Sequence, residues 1–286
     1  MIWLFLLLCT GTWIATIFKF INMRHVRAGI VICINYLIGS LAAAISLFAG
    51  ARIHVSHDGS FAAMLILSFI LGIFMRTNLL VTDKSTVENG VGSTTFFNRI
   101  AFFPSVIISA VLWDGMPQPI QIAGLLLVII AMLGMVKSMS GINVNEISLI
   151  LGLIGSAAAI ELCNKIFSVY FDAELKPIFL IGVFGSAFIT ALIAIMHGDG
   201  EPRGRITTEE IIFGALLGIP NVLNNYFKLQ SLEILPSAVV MASFAVGTMV
   251  LSAIIGVALF KEKINSLRLG AIILAVLSIV MINLPG

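Results

Sequence analysis

Long apolar runs separated by short polar connections make up almost the whole chain. Ten such runs occur in the 286 residues, and each approaches the length of about 20 apolar residues that a membrane-spanning helix needs. They cover approximately residues 2–20, 28–50, 60–82, 87–112, 118–137, 147–169, 176–197, 208–230, 235–260 and 266–284. Polar connections lie between them, as at Asp83-Lys84-Ser85 and Trp113-Asp114-Gly115. The pattern predicts an all-α membrane protein with ten transmembrane helices.

The second half of the chain repeats features of the first at an offset of 146 residues. The matched positions are Lys19 and Lys165, Leu71-Gly72-Ile73 and Leu217-Gly218-Ile219, Asn78 and Asn224, Ser85 and Ser231, and Gly124 and Gly270. The offset places five runs on five runs. Because five is odd, the second copy has to enter the membrane from the opposite side. We therefore expect two inverted five-helix repeats, residues 1–140 and 141–286, within one membrane domain.

Local signals mark helix starts and close helix contacts. Thr207-x-x-Glu210 and Asn143-x-x-Glu146 have the spacing of capping boxes before the eighth and sixth runs. The small residues of Gly214-x-x-x-Gly218 and Gly182-x-x-Gly185 predict close packing of helices, which we expect within the chain.

Composition agrees with a membrane protein. The chain is 59% hydrophobic and 10% charged, with a mean hydropathy of +1.12, whereas soluble domains are about 45–50% apolar and about 25% charged. The net charge of +2 comes with no basic cluster, so no nucleic-acid partner is expected. Three cysteines, Cys9, Cys33 and Cys163, lie in apolar runs and are expected to be buried thiols.

The distribution of charge predicts the orientation. Met1 begins the first apolar run without a basic segment, so this run is interpreted as a span and not as a cleaved signal peptide. Most lysines and arginines outside the spans fall on the side of the membrane opposite the two termini. The positive-inside rule then places both termini outside the cytoplasm. We expect a multi-pass protein of the cell inner (plasma) membrane.

The most informative charge is Arg99, near the middle of the fourth run, 87–112. A charged side chain at that depth costs roughly 2.5–3.5 kcal/mol, so it needs a polar cavity or a partner. Glu161 is the only acid deep inside another run. Helical spacing places Thr95 one turn from Arg99, with Asn98 on the neighbouring face. One interpretation is a structural Arg–Glu pair, and the other is a lined transport cavity. In such a cavity a zwitterionic ligand could bind between the two charges, or alternatively Glu161 could take up a coupling proton when the pair opens.

The eighth run carries a polar stripe. Asn221, Asn224, Asn225 and Lys228 fall on one helical face, and such a stripe cannot face lipid. Pro220 precedes it and frees a backbone carbonyl, which a ligand could use. The stripe either lines a cavity or holds helices together by hydrogen bonds.

Other polar groups leave alternatives open or are excluded. Arg76 either binds an anion or extends to the membrane interface, and Lys165 either joins the site or neutralises Glu161 one turn away. His54-x-x-His57-Asp58 lacks further ligands for a metal site. There is no Walker phosphate-binding loop, so ATP is not expected to drive the protein. No metal and no cofactor is predicted.

Two short motifs resemble those of a known family. Phe260-Lys261-Glu262-Lys263, followed by Arg268-Leu269-Gly270, resembles the acid-then-glycine signature before the last helix of ten-helix, EamA-like members of the drug/metabolite transporter superfamily. Met116-Pro117-Gln118-Pro119 with Gln121 and Gly124 resembles its first-half copy, with Met116 where the family has an acid. The resemblance implies a secondary carrier working by alternating access, with a cavity built mainly from spans one, three, four, six, eight and nine.

Together these observations predict a secondary active transporter, not an enzyme, for a small polar or amphipathic metabolite that is anionic or zwitterionic, such as an amino acid. Protons are the candidate coupling ion, the bilayer is the environment, and a monomer or weak homodimer is expected. The predicted substrate-binding residues are Arg76, Thr95, Asn98, Arg99, Glu161, Lys165, Asn221, Asn224, Asn225 and Lys228. The alternatives are an intramembrane enzyme acting on a lipid-linked substrate near Asp83, Lys84 and Glu88, and a scaffold or channel subunit.

Overall fold

The computed structural model describes residues 1–24, 26–48, 59–139, 142, 144–197, 204–261 and 265–284. These residues form helices and connections, with no strand among them. The helices are α1 (Ile2–Arg24), α2 (Ala28–Phe48), α3 (Gly59–Ile100), α4 (Phe102–Ser109), α5 (Pro119–Met139), α6 (Ile147–Tyr170), α7 (Lys176–His197), α8 (Thr208–Ile234), α9 (Ser237–Phe260) and α10 (Ser266–Asn283). A π-helical turn, Ala110–Asp114, follows α4, and a 3-10 turn, Ala173–Leu175, precedes α7.

Eight helical segments of the described chain are long and apolar enough to cross a membrane. They are Ile2–Ile21, Ala28–Leu47, Ser60–Asp114, Pro119–Ser138, Ile147–Tyr170, Ala173–His197, Ser237–Phe260 and Ser266–Asn283. The all-α membrane class expected from the sequence is thereby confirmed at the level of helix content, length and composition.

The connection predicted at Asp83-Lys84-Ser85 is wrong, because these residues are helical within α3. Charged residues such as lysine are good helix formers, so polarity alone does not end a helix. The helical conformation is interrupted at Gly90, with φ 82° and ψ 158°. Backbone at positive φ is open to glycine and strained for other residues. The segment after this break is called segment 91–114 below; it comprises the end of α3, α4 and the π-helical turn.

The described chain forms two compact units, and each draws on both halves of the sequence. Unit one comprises Met1–Arg76 and Ile166–Gln230, and unit two comprises Thr77–Lys165 and Ser231–Gly286. Three long helices, α3, α6 and α8, therefore contribute to both units.

Unit one is built on close packing of α2 against α7. A Cβ atom added at Gly218 of α8 would lie 2.8 Å from Cβ of Ile38 on α2, and one at Gly182 of α7 would overlap Ser68 of α3. Small residues thus let these backbones approach. The close packing predicted for the glycine faces is confirmed as contact within the chain.

Unit two is built on α5 packed along α10, with α9 against both and against α4. Two thirds (67%) of the residues in α9's apolar window are buried, against at most 39% for the other candidate spans, so α9 is the most enclosed of them. At Gly124 of α5 an added Cβ would lie 2.8 Å from the side chain of Ile282 on α10.

The start of α8 is fixed by a side-chain cap. The predicted capping box at Thr207 and Glu210 is confirmed: the Thr207 amide donates to Glu210 Oε2 at 2.7 Å, and the Glu210 amide donates to Thr207 Oγ1 at 3.3 Å. Six residues of the motifs named in the sequence analysis lie outside the described residues: His54, His57, Asp58, Asn143, Glu262 and Lys263.

Candidate functional site

The guanidinium of Arg99 lies in unit two, where groups of α6 and α9 surround it. Its Nη1 donates a hydrogen bond to Thr248 Oγ1, and the ring centroid of Phe244 lies 5.8 Å from its Cζ. Glu161 on α6 supplies a favourable opposite charge. Because Thr248 Oγ1 itself donates to the Phe244 carbonyl at 2.7 Å, its lone pairs are left to accept from Arg99. One turn of α9 thus holds the cation by an oxygen and an aromatic face.

Most N–H donors of Arg99 have no acceptor in the part of the chain that the structure describes. A guanidinium has five N–H donors, and the bond to Thr248 is the one that described residues provide. The Arg99 side chain is half-buried, and Thr95, one turn before it, is exposed. The group can therefore accept an anionic ligand without first losing a bidentate protein partner.

The amide of Asn98 is used for helix contacts. Its Nδ2 donates to Thr82 Oγ1 at 3.2 Å, and it also pairs with Asn78. Asn78 in turn donates to Ser156 Oγ on α6 at 3.0 Å. These hydrogen bonds join α3, segment 91–114 and α6. Polar side chains in membrane proteins hold helices together in this way.

A second charged cluster lies at the end of segment 91–114. Lys165 Nζ lies 2.6 Å from Asp114 Oδ1, and the backbone amide of Ser237 donates to Asp114 Oδ2 at 2.8 Å. The α9 N-cap residue, Pro236, makes no side-chain cap of its own. Asp114 therefore caps α9 from another helix and holds Lys165 of α6 at the same time. Only 5% of the Lys165 side chain and 14% of the Asp114 side chain are exposed.

In unit one the polar stripe of α8 faces α1 and α2. Asn221 Nδ2 donates to Asn35 Oδ1 on α2 at 3.2 Å. Asn224 Nδ2 donates to the Leu7 carbonyl at 3.0 Å and to Thr10 Oγ1 at 2.9 Å, both on α1. The amides that the sequence assigned to a ligand or to helix contacts thus make helix contacts here.

The remaining predicted groups of unit one are buried or half-buried. Asn225 Nδ2 donates back to the Asn221 carbonyl at 3.0 Å, and Lys228 is buried. Arg76 Nε is buried and has no hydrogen-bond partner among the described residues. Arg76 therefore does not extend to the interface with all its donors in water.

Pro220 leaves α8 unbroken, which corrects the expectation that it opens a carbonyl to a ligand. The helix continues through it from Thr208 to Ile234. Because Pro220 has no N–H, the carbonyl of Leu216 lacks its usual helical donor. The indole Nε1 of Trp13 on α1 donates to that carbonyl at 3.2 Å. A neighbouring helix has taken the place that the sequence assigned to a ligand.

A groove with a volume of about 490 Å³ opens in unit two near the start of α6. It is lined by Asp83, Lys84, Val87, Glu88, Glu146, Ser148 and Leu149. Beside it, Asn89 Oδ1 accepts hydrogen bonds from the backbone amides of Asn145 and Glu146 at 2.8 Å each, which fixes the connection just before α6. Among the described residues no group of three His, Cys, Asp or Glu side chains is placed to hold a metal ion.

Sequence reasoning missed Thr248, Phe244 and Asp114. A signal for the first two exists in the sequence, because the 146-residue offset takes Arg99 to Ala245, which lies between them on α9. Related elements of inverted repeats often pack together around a common axis. The sequence pattern placed Asp114 in a polar connection, where a charged side chain needs no buried partner.

The site and fold define an all-helical membrane protein with a half-buried arginine inside an apolar helix segment. No protein-family model matches the sequence, and no curated protein matches it. A solved structure described only as "Crystal structure of protein" shares the fold, with a TM-score of 0.79 over 99% of this chain and 98% of that chain. The two sequences are 14% identical, so this similarity concerns the fold alone.

Proposed function

We propose that the chain is a secondary active transporter that moves a small anionic or zwitterionic metabolite, such as an amino acid, by alternating access. The observation that carries the proposal is Arg99. A guanidinium within an apolar segment is costly, and here described residues take up one of its five donors, at Thr248. A carboxylate is the ligand that matches the remaining fork of donors.

Ten membrane spans as two inverted repeats form part of the same proposal. The segment Ser60–Asp114 has 55 residues, so as helix it would extend about 80 Å, well over twice the hydrocarbon thickness of about 30 Å. The break at Gly90 supports its division into two spans. With the 27-residue α8, whose polar stripe lowers its hydropathy, the spans become ten.

The packing partners support the repeat. The pairs α2 with α7, α4 with α9 and α5 with α10 are among the contacts within the units, and each pair is related by the offset of 146 residues. The chain interruption at Gly90 likewise corresponds to Pro236, where α8 gives way to α9. Carriers of this architecture bind their cargo at mid-membrane depth.

Glu161 suits a zwitterionic cargo, because it offers a negative charge near Arg99 for an ammonium group. Protons are the proposed coupling ion, with Glu161 as their acceptor when the charge pair opens. The proposed location is the cell inner (plasma) membrane. No cofactor takes part.

The groove at Asp83, Lys84, Glu88 and Glu146 is the observation that favours the alternative, an intramembrane enzyme for a lipid-linked substrate. Such an enzyme needs a nucleophile with its base or a metal site. The described lining residues offer neither arrangement, whereas Arg99 offers a binding group, so transport is the better supported function.

Ligand-induced stabilisation tests the proposal directly, because a ligand of the folded state stabilises it by mass action. Purified protein is heated with single amino acids, organic acids, nucleosides and cationic amines. We expect a compound with a carboxylate to raise the melting temperature of the wild type and of Lys137→Ala, but not of Arg99→Ala. Lys137 is an exposed lysine in the last turn of α5 and loses the same charge away from the site.

Stabilisation by cationic amines alone would overturn the anionic cargo. Equal stabilisation of wild type and Arg99→Ala by the same carboxylate would remove Arg99 from the site. Turnover of a lipid-linked substrate that is lost in Glu88→Gln would favour the enzyme.

A further inference from the structure

Three elements of unit two are joined twice, by two sets of polar groups. In the middle junction, Arg99 of segment 91–114 donates to Thr248 of α9 and is attracted electrostatically by Glu161 on α6. In the end junction, Asp114 of the same segment binds Lys165 of α6 and the Ser237 amide of α9. The sequence separations place the two junctions about 16–22 Å apart along α9 and segment 91–114.

The charges of the two junctions are reversed. Segment 91–114 supplies the cation in the middle junction and the anion in the end junction, while α6 supplies Glu161 and then Lys165. On α6 these two residues are one turn apart, about 6 Å along the axis. Residues with this spacing are neighbours on a helix surface. Glu161 therefore lies within reach of two cations, Arg99 and Lys165.

We propose that Glu161 and Lys165 couple the Arg99 site to a gate at the end junction, where Asp114 holds the start of α9. This inference rests on the proposed transport function for its purpose. An anionic cargo neutralises Arg99 and so weakens the hold of Arg99 on Glu161. Glu161 then draws Lys165, and Asp114 loses the ion pair that keeps it beside Ser237. The first turn of α9 is thereby released when the site is loaded.

The start of α9 depends on Asp114 for its cap. Pro236 has no side-chain cap to offer the first amides of the helix, so the Asp114 carboxylate provides the cap from outside. The π-helical turn that ends at Asp114 is a type of helix irregularity often found at functional sites. Movement of the Asp114 carboxylate would thus release the start of α9 and the π-helical turn together.

Hydrogen exchange at the amides of residues 237–240 tests the coupling without any cargo. Arg99→Gln removes the charge that a bound anion would neutralise, so we expect exchange at these amides to become roughly tenfold faster, the size of one lost charge-assisted hydrogen bond. In Arg99→Gln/Glu161→Gln the competing carboxylate is gone, and exchange is expected to return close to the wild-type rate. Asp114→Asn is expected to be fast in either background.

Two controls make each outcome decisive. Lys137→Gln removes a positive charge elsewhere in unit two and is expected to leave residues 237–240 unchanged. The amides of α5 serve as the internal reference for general loosening. The proposal is overturned if Arg99→Gln does not change exchange at 237–240, if it loosens α5 equally, or if the double variant stays as fast as the single one. This experiment measures no transport. A negative result would therefore refute the coupling but not the carrier, which the ligand-stabilisation experiment tests separately.

Discussion

At the scale of single residues, the hydrogen bond that Arg99 makes depends on where the Thr248 hydroxyl donates its proton. The Thr248 hydroxyl donates to the carbonyl of Phe244 within its own helix, which turns its lone pairs toward the guanidinium. A serine could do the same, whereas valine has the shape of threonine without the oxygen. The bond therefore depends on the oxygen and hardly on the methyl group.

We predict that Thr248→Val lowers the free energy of unfolding by about 1–2 kcal/mol, since it removes the acceptor of a charged donor inside an apolar unit. Thr248→Ser keeps the acceptor and is expected to lose less than half as much. Unfolding in mixed detergent micelles measures both. A valine variant as stable as the wild type would show that this oxygen does not hold Arg99.

Another single contact lies in the first turn of α8, outside the eight candidate spans. Arg27 binds Glu210 through Nε at 2.6 Å and Nη2 at 2.8 Å. Hydrogen bonds from the Arg27 side chain are the largest cause that lowers the pKa of Glu210 from its ordinary value of 4.5. Because the pKa is lower in the folded protein than in the unfolded chain, the contact stabilises the fold above that ordinary value and is lost as pH falls through the lowered pKa.

We predict that the stability difference between wild type and Glu210→Gln is constant between about pH 6 and 8 and shrinks below about pH 4. Melting temperatures across this range measure it, with Glu209→Gln, an exposed neighbour on the same turn, as the control. A difference that grows on acidification would contradict the assignment.

At the scale of elements, the interruption at Gly90 is a matter of backbone conformation. No atom lies within 4 Å of a Cβ added there, so space does not demand glycine. The φ angle of 82° does, because side chains other than glycine are strained in that region. Gly155 in α6 has equally open surroundings but helical backbone, which makes it a matched comparison.

We predict that Gly90→Ala destabilises the protein by about 1–3 kcal/mol, while Gly155→Ala is neutral or stabilising by up to about 1 kcal/mol. Unfolding measurements on both variants separate strain from loss of space. If the two substitutions have equal effects, the positive φ is not a requirement of the fold.

The sequence predicted the helices well because apolar length is a local property. It predicted the boundary of α3 poorly, since Asp83 and Lys84 read as a connection although only Gly90 changes the backbone direction. Partners of polar groups were harder still. The acceptor of Arg99 lies 149 residues away and the donor for the Leu216 carbonyl lies 203 residues away. Only packing decides such pairs.

At the scale of the whole molecule, the ten residues predicted for substrate binding divide between the two units. Unit one holds Arg76, Asn221, Asn224, Asn225 and Lys228, and unit two holds Thr95, Asn98, Arg99, Glu161 and Lys165. The asparagines of α8 and Asn98 contact other helices. Arg99 is the member of the set whose donors best suit a cargo, so the account of transport depends on it.

Transport through the Arg99 site is tested by exchange in proteoliposomes. Vesicles loaded with an isotope-labelled mixture of amino acids and organic acids are placed in the unlabelled mixture, and mass spectrometry measures which labels leave. We expect that at least one carboxylate exchanges through the wild type and through Lys137→Ala, and that Arg99→Ala abolishes this exchange. Exchange of the same compound at the wild-type rate by Arg99→Ala, or exchange of no carboxylate by the wild type, would contradict it.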